Sequence, residues 1–147
     1  METLFRHILV PIDGSEPSLQ AVQMALRIVA ACPPCKMTVL YVVDELVLNE
    51  LVRFSKRSPK EVEAELEEQG RRYLNLARKD AERHGIAISS LTHRGDPFEE
   101  VVAAARQLGA DLIIMGHTGR RGTSRVLIGS VTERVLDYAP CPVLVMK

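Results

Sequence analysis

The 147-residue sequence lacks the features that mark secreted, membrane-spanning and polyanion-binding proteins. Its three cysteines are too few, and odd in number, for a disulfide framework. No apolar run approaches the ~20 residues needed to cross a bilayer, and the first residues do not resemble a signal peptide. Lys plus Arg and Asp plus Glu each number 19, so no basic excess favours nucleic acid or a membrane surface. These absences predict a cytoplasmic protein with neither of those partners.

The composition is that of a folded globular chain. Hydrophobic residues make up 46% and charged residues 26% of the sequence, which excludes an intrinsically disordered protein. The length suits one domain, so residues 1–147 are predicted to form a single one. A zero net charge still permits a local basic patch.

Five apolar segments are predicted to be strands. Four are nearly continuous runs of Val, Ile and Leu, which are typical of strands covered on both faces of a parallel sheet. The fifth mixes polar with apolar residues and is interpreted as an edge strand. In chain order the segments are 8–12, 37–43, 87–93, 111–115 and 143–146.

Four amphipathic helical patterns alternate with these strands. Capping residues at Ser58, Asp96 and Ser130, each followed by a glutamate three residues later, predict three of the helix starts. The strict alternation predicts an α/β fold with one doubly wound, five-stranded parallel sheet and helices on both faces. Residues 44–57 form a long irregular stretch, which we interpret as a partly helical flap, a partner contact or a locally packed loop.

Two strand exits carry the residues of a candidate ligand site. The first strand runs into Pro11, Ile12 and Asp13, and the fourth runs into a glycine-rich loop. Residues 116–132 contain three arginines and no Asp or Glu, and they lead into a helix amino terminus. Glycines and helix amides form anion-binding concavities, so this loop is predicted to bind phosphate. Neither a Walker P-loop nor a dinucleotide fingerprint is present.

The spacing of the glycines identifies a resemblance. Gly116-x2-Gly119-x9-Gly129-Ser130 resembles the nucleotide-binding signature of the universal stress protein family, in its ATP-binding subgroup. The resemblance extends from His7 to Met146. It implies an adenine nucleotide alpha hydrolase-like sheet with strand order 3-2-1-4-5 and a homodimer formed through the last strand, Val143 to Met146. An unpaired apolar edge strand is also an aggregation hazard, which independently favours a dimer.

The resemblance also implies roles for particular residues. It places Asp13 as a ribose or base partner, the Val42 backbone against adenine, and the loop glycines and the following hydroxyls around the phosphates. His117 is expected only to line the site. Arg120, Arg121 and Arg125 are either solvated or supply one contact to a phosphate. The implied nucleotide-binding residues are Pro11, Ile12, Asp13, Val42, Met115, Gly116, His117, Gly119, Arg120, Gly129, Ser130, Val131 and Thr132.

Several alternatives stay open at this level. Ser130 serves as a helix cap, as a phosphate ligand or as both, and Asp13 is also a plausible local cap. Cys32 and Cys35 are interpreted as incidental residues of a double-proline helix terminator, with a redox or metal role as the alternative.

The predicted function is a dimeric, ATP-dependent regulator with an unidentified protein partner. ATP would carry Mg²⁺ or Mn²⁺ on its phosphates, and no catalytic or metal-binding residue is assigned. Two other hypotheses remain: a slow ATPase or phosphotransferase, and a stress or scaffold dimer that needs no nucleotide. AMP or a cyclic nucleotide is also compatible with the loop.

Overall fold

The computed structural model describes residues 3–119 and 128–147. Strands and helices alternate along most of the chain, as predicted. The elements in chain order are β1 (His7–Ile12), α1 (Glu16–Ala31), β2 (Lys36–Asp44), α2 (Glu45–Ser55), α3 (Pro59–Arg83), β3 (Ser89–Gly95), α4 (Pro97–Leu108), β4 (Leu112–Gly116), α5 (Ser130–Tyr138) and β5 (Val143–Met146).

The five strands form one parallel sheet in the order β3-β2-β1-β4-β5. This confirms both the predicted α/β class and the strand order that the family resemblance implied. Strand β1 lies at the centre, where Ile8 is in register with Met37 of β2 and Leu112 of β4. The chain moves outward from β1 to β2 and β3, then crosses back to β4, so the strand order reverses between β1 and β4.

The core has two layers, one on each face of the sheet. Successive strand residues point to opposite faces: Ile8 and Val10 pack with α1, α2 and α3, whereas Leu9 packs with α4 and α5. All three side chains are fully buried. Helices therefore cover both faces, as the near-continuous apolar runs predicted.

Two of the predicted helix caps are confirmed. The side chains of Ser58 and Asp96 accept hydrogen bonds from the amides of Glu61 and Glu99, at 3.2 and 3.1 Å. The third is wrong: Gly129 is the N-cap of α5, and Ser130 is the first residue of the helix. The capping-box spacing misplaced this helix start by one residue.

Two strand predictions need correction, and residues 44–57 match the partly helical alternative. The third strand lies two residues further along the chain than predicted, and the fourth is shifted by one. Residues 44–57 are largely helical, because Asp44 caps α2 and Leu48 is buried in the core. The chain thus has five helices in its described part, one more than predicted. In that same part, no helix combines the length and apolar character needed to cross a membrane.

Candidate functional site

A cavity of about 420 Å³ opens at the carboxyl ends of the central strands. It lies where the strand order reverses, the position at which open α/β sheets bind ligands. Eleven of the thirteen residues that the resemblance implied lie in its wall. The described lining residues are Pro11, Ile12, Asp13, Leu40, Tyr41, Val42, Asp44, Val47, Leu66, Pro97, Val101, Met115, Gly116, Thr118, Gly119, Ile128, Gly129, Ser130, Val131, Thr132 and Glu133.

One part of the cavity wall is apolar and comes from both layers of the fold. Val42 extends from β2, Val47 from α2 and Val101 from α4, with Met115 at the end of β4. A planar, weakly polar ring can bury its faces against such a wall, and the strand backbone supplies edge contacts.

Asp13 lies at the junction between the β1 exit and the glycine loop. One carboxylate oxygen, Oδ1, accepts a hydrogen bond from the Ser15 amide at 2.9 Å, which confirms a local capping role. The other oxygen, Oδ2, lies where a Cβ on residue 119 would stand. Only glycine at position 119 therefore allows the Asp13 carboxylate its present position beside the loop.

Gly116 has a different role, which is to allow close packing between β4 and α1. A Cβ there would lie 2.7 Å from Cβ of Pro17, 2.9 Å from its carbonyl carbon and 3.0 Å from the Ser18 amide nitrogen. Since two of these atoms are backbone, relief would require α1 to move away from β4. Gly116 thus lets the first turn of α1 approach the end of β4, directly behind a residue of the cavity wall.

Helix α5 begins at the cavity without a side-chain cap. Its N-cap, Gly129, has no side-chain oxygen to accept from the amides of the first turn. The first hydrogen bond within the helix runs from the Glu133 amide to the Gly129 carbonyl, at 2.9 Å. The amides of residues 130–132 therefore have no acceptor within the helix and lie at its positive dipole end, an arrangement that favours an anion.

The start of α5 is tied to the end of β4 by two hydrogen bonds. The Gly129 amide donates to the His117 carbonyl at 2.6 Å. The Thr132 hydroxyl donates to the Gly116 carbonyl at 2.8 Å, and Thr132 is only 3% exposed. These contacts hold the helix amino terminus beside the glycine loop.

His117 lies outside the described cavity wall, although it belongs to the predicted set. Its amide donates to the Met146 carbonyl at 2.7 Å, and its ring Nδ1 lies 3.0 Å from the same oxygen. The residue therefore connects the loop after β4 to the end of β5. Arg120, the other predicted residue missing from the wall, lies outside the described residues, as do Arg121 and Arg125.

The sequence reasoning missed about half of the cavity wall. Asp44 ends β2 beside the site, and a search for polar residues at every strand exit would have found it. Glu133 lies one turn into α5. Its position one turn after the glycine motif could have predicted that it lines the cavity. Val47 and Val101 reach the cavity only through helix packing, and no local motif marks them.

The described residues offer no separate metal centre. Across residues 3–119 and 128–147, no three His, Cys, Asp or Glu side chains are grouped to hold a metal ion. Cys32 and Cys35 are free thiols that flank the end of α1. Burial, followed by the charges of Asp111 and Cys32, raises the pKa of Cys35, which disfavours a reactive thiolate.

Comparison with known proteins identifies the family. The model of the Universal stress protein family matches residues 4–147, and the chain belongs to that family. Universal stress protein MJ0531 of Methanocaldococcus jannaschii is 39% identical over 147 residues, covering 99% of this chain and 84% of the relative. The solved structure of MJ0577 from the same organism is similar, with a TM-score of 0.83, 29% identity and coverage of 98% and 96% of the two chains.

Two more distant solved structures share the fold. A universal stress protein in complex with cAMP has a TM-score of 0.67 and 24% identity, and covers 97% of both chains. A family protein from Arabidopsis thaliana with AMP bound has a TM-score of 0.67 and 18% identity, over 97% of this chain and 91% of its own. Both nucleotides belong to those proteins, and at these identities the likeness shows the fold alone.

Proposed function

We propose that this universal stress protein binds ATP in the cavity at the carboxyl ends of β1 and β4. The observation that carries the proposal is the uncapped amino terminus of α5, which presents first-turn amides to a cavity whose wall is apolar in another part. An apolar wall suits the adenine ring, and helix amides suit phosphates. The cAMP and AMP complexes of distant family members support an adenine nucleotide in this fold.

The proposed orientation follows from the distribution of polar groups. Adenine would lie near Val42 and Val101, the ribose near Asp13, and the phosphates at the amino terminus of α5. Mg²⁺ or Mn²⁺ would arrive on the phosphates and neutralise part of their charge. The divalent ion thereby reduces repulsion from Asp13, Asp44 and Glu133, the carboxylates in the described wall.

The experiment that tests this proposal places a charge at the phosphate end. Ser130→Asp adds a carboxylate to the first turn of α5, where a negative charge stabilises the helix but repels phosphate. Titration calorimetry is expected to show ATP with magnesium binding at least about tenfold more weakly, and adenosine binding within about twofold of wild type.

Ser130→Asn is the matched control, because it has nearly the shape of Asp without its charge. We expect it to bind ATP far more tightly than Ser130→Asp does. Equal ATP affinity in wild type and Ser130→Asp would show that the phosphates do not lie at α5, and absence of binding by wild type would refute the proposed function.

The regulatory part of the proposal concerns α2. Val47 lines the cavity, whereas Leu46 and Phe54 on the same helix are 51% and 79% exposed. A ligand that contacts α2 from within can change the surface that these apolar side chains present to a protein partner. Hydrogen exchange of residues 45–55 with and without ATP tests this, and unchanged exchange in a saturated sample would contradict it.

We also propose that residues 1–147 form a single domain and that the protein is cytoplasmic. Two copies of this domain would form a homodimer through β5. Strand β5 pairs with β4 and forms one edge of the sheet, and Leu144 on it is 37% exposed. Pairing with a second copy would protect this edge. Leu144→Glu is expected to shift the sedimentation coefficient towards monomer, and a monomeric wild type would refute the dimer.

Slow ATP hydrolysis is a second candidate, favoured by the carboxylate of Glu133 in the cavity wall. Hydrolysis needs a positioned water and stabilisation of the charge that develops on the γ-phosphoryl group. Sustained ADP release that disappears in Glu133→Gln, with ATP affinity retained, would support turnover. Equal release by both proteins would exclude Glu133 as the base.

A further inference from the structure

We infer that Thr132 is a positioning residue of the phosphate end of the cavity. Its hydroxyl holds the first turn of α5 against the end of β4, and it acts on a bound phosphate through the helix amides and not by direct contact. This inference rests on the proposed function. It also revises the role that the family resemblance implied for the Thr132 hydroxyl, which was that of a phosphate ligand.

The hydrogen-bonding capacity of the hydroxyl supports an indirect role. A threonine hydroxyl has one proton to donate. In the structure that proton is donated to the Gly116 carbonyl at 2.8 Å, and the residue is 3% exposed. Ionised phosphate oxygens accept hydrogen bonds only, so the same hydroxyl would have to abandon Gly116 before donating to a phosphate. A buried carbonyl would then lose this hydrogen bond, at a free-energy cost that opposes binding.

The second contact between α5 and β4 shows what the hydroxyl positions. The Gly129 amide donates to the His117 carbonyl at 2.6 Å, one residue further along the chain from Gly116. Two successive carbonyls at the end of β4 therefore accept from the start of α5, one from its N-cap and one from its first turn. Two attachment points fix the direction of the helix axis, which a single hinge would leave free.

This arrangement replaces the usual cap of a helix. An N-cap side chain normally accepts from the amides of the first turn, and it would occupy the groups that a phosphate needs. Gly129 leaves those amides without a side-chain acceptor, and Thr132 supplies tertiary attachment through its side chain. The amides are thus aimed into the cavity before any ligand arrives, which lowers the ordering cost of binding.

The test compares full-length Thr132→Val with Thr132→Ser. Valine keeps the shape of threonine and removes the hydroxyl, whereas serine keeps the hydroxyl. Calorimetry with ATP and magnesium is expected to show about tenfold weaker binding for Thr132→Val and near wild-type binding for Thr132→Ser. Adenosine affinity should stay within about twofold in both variants, because the nucleoside lies away from α5. A purely structural role would not change the ratio of the two affinities.

Amide exchange in the ligand-free proteins separates positioning from direct contact. We expect faster exchange at residues 133–135 in Thr132→Val than in wild type, because the first turn has lost one attachment. A variant that binds ATP weakly but exchanges like wild type would show direct phosphate contact and overturn the inference. Should Thr132→Val fail to fold, Thr132→Ala provides the same comparison against Thr132→Ser.

The failure of this inference differs from that of the proposed function. Wild-type protein that binds no ATP would refute the proposed function and this role together. Wild-type protein that binds ATP, with Ser130→Asp impaired and Thr132→Val unimpaired, would leave the nucleotide site in place and overturn the role of Thr132 alone.

Discussion

The two ends of the sheet satisfy their polar groups in opposite ways. At the amino ends of the strands, the Asp111 carboxylate accepts from the amides of Arg6 and His7 at 2.8–3.1 Å, and the His7 ring lies 2.7 Å from the Thr38 hydroxyl. At the carboxyl ends, α5 begins on a glycine that offers the first-turn amides no side-chain acceptor. At one end, side chains of the protein satisfy backbone amides; at the other, backbone donors face a cavity.

This difference separates stability from binding within one fold. A protein selected only for stability would place Ser, Thr, Asp or Asn at the α5 N-cap, as it does at Ser58 and Asp96. The α5 N-cap is instead Gly129, which lines the cavity. Local exceptions to the usual stabilising residues are expected at functional sites. Substitutions at the amino ends should thus change unfolding, and those at the carboxyl ends should change ligand affinity.

Gly116→Ala should have the largest effect. It is the expected exception to this comparison, because Gly116 lies at the carboxyl end of β4 but packs against α1. The added Cβ would meet Pro17 and the Ser18 amide nitrogen at 2.7–3.0 Å, so α1 must shift. Overpacking of this kind costs about 1–3 kcal/mol, measurable as a loss in the free energy of unfolding by urea denaturation. An unchanged free energy of unfolding would show that α1 yields easily and that Gly116 is not a packing residue.

Gly119→Ala should instead affect binding while leaving the fold intact. The new methyl displaces the Asp13 side chain, which can rotate by breaking its hydrogen bond to Ser15. Because Asp13 is the proposed ribose partner, ATP and adenosine should both bind about tenfold more weakly, a change of about 1.4 kcal/mol. This pattern differs from that of Ser130→Asp, which should weaken the binding of ATP but not of adenosine.

A double-substitution cycle checks that mechanism. Asp13→Ala should weaken the binding of ATP and of adenosine similarly. Combining it with Gly119→Ala should add little, since both substitutions remove the same interaction, that of Asp13 with the ribose. Additive losses would mean that Gly119 acts on the ligand independently of Asp13.

Asp111→Asn should lower stability and leave nucleotide affinity unchanged. Burial raises the pKa of Asp111, but the hydrogen bonds from His7 and Arg6 outweigh it, and the pKa is lowered overall. The carboxylate therefore stabilises the fold above the unfolded pKa of about 4, and this contribution is lost as pH falls through the lower folded value. We expect a loss of about 1 kcal/mol at pH 7, since the contacts are partly solvated.

The pH dependence of that loss provides the check. The difference between wild type and Asp111→Asn, measured by urea denaturation, should shrink as pH falls below about 4. A constant difference from pH 7 to pH 3 would show that the charge of Asp111 contributes nothing. A change in ATP affinity at pH 7 would contradict the separation between the two ends.

Sequence patterns predicted the sheet because its strands are buried on both faces and its main helices are well capped. The third strand was misplaced because Ser89, Thr92 and Arg94 give an edge strand no clear periodicity. Helix α2 was predicted only as one alternative for residues 44–57, a partly helical flap, because a second helix between β2 and β3 departs from the strict alternation of strands and helices.

The candidate site was predictable where one continuous motif encodes it. The glycine spacing located Gly116, Gly119 and Gly129, since close backbone approach leaves a signature in the sequence itself. The aliphatic wall from Val47, Leu66 and Val101 was not predictable, because three helices on the two faces of the sheet border the cavity only after folding. The role of Thr132 required the structure as well, since its acceptor lies 16 residues earlier in the chain.

Oxidation of Cys32 and Cys35 should have the smallest effect and tests whether the amino ends of the strands carry any function. These cysteines follow α1 at its negative dipole end, and burial raises the pKa of the Cys35 thiol. A raised pKa makes the Cys35 thiol a poor nucleophile at neutral pH, so exposure to oxidised glutathione should leave three titratable thiols and an unchanged ATP affinity. Cys141→Ser provides the control, with two thiols before and after treatment. A Cys32–Cys35 disulfide that forms readily and changes ATP affinity would show that the amino ends of the strands influence the proposed nucleotide site at the carboxyl ends.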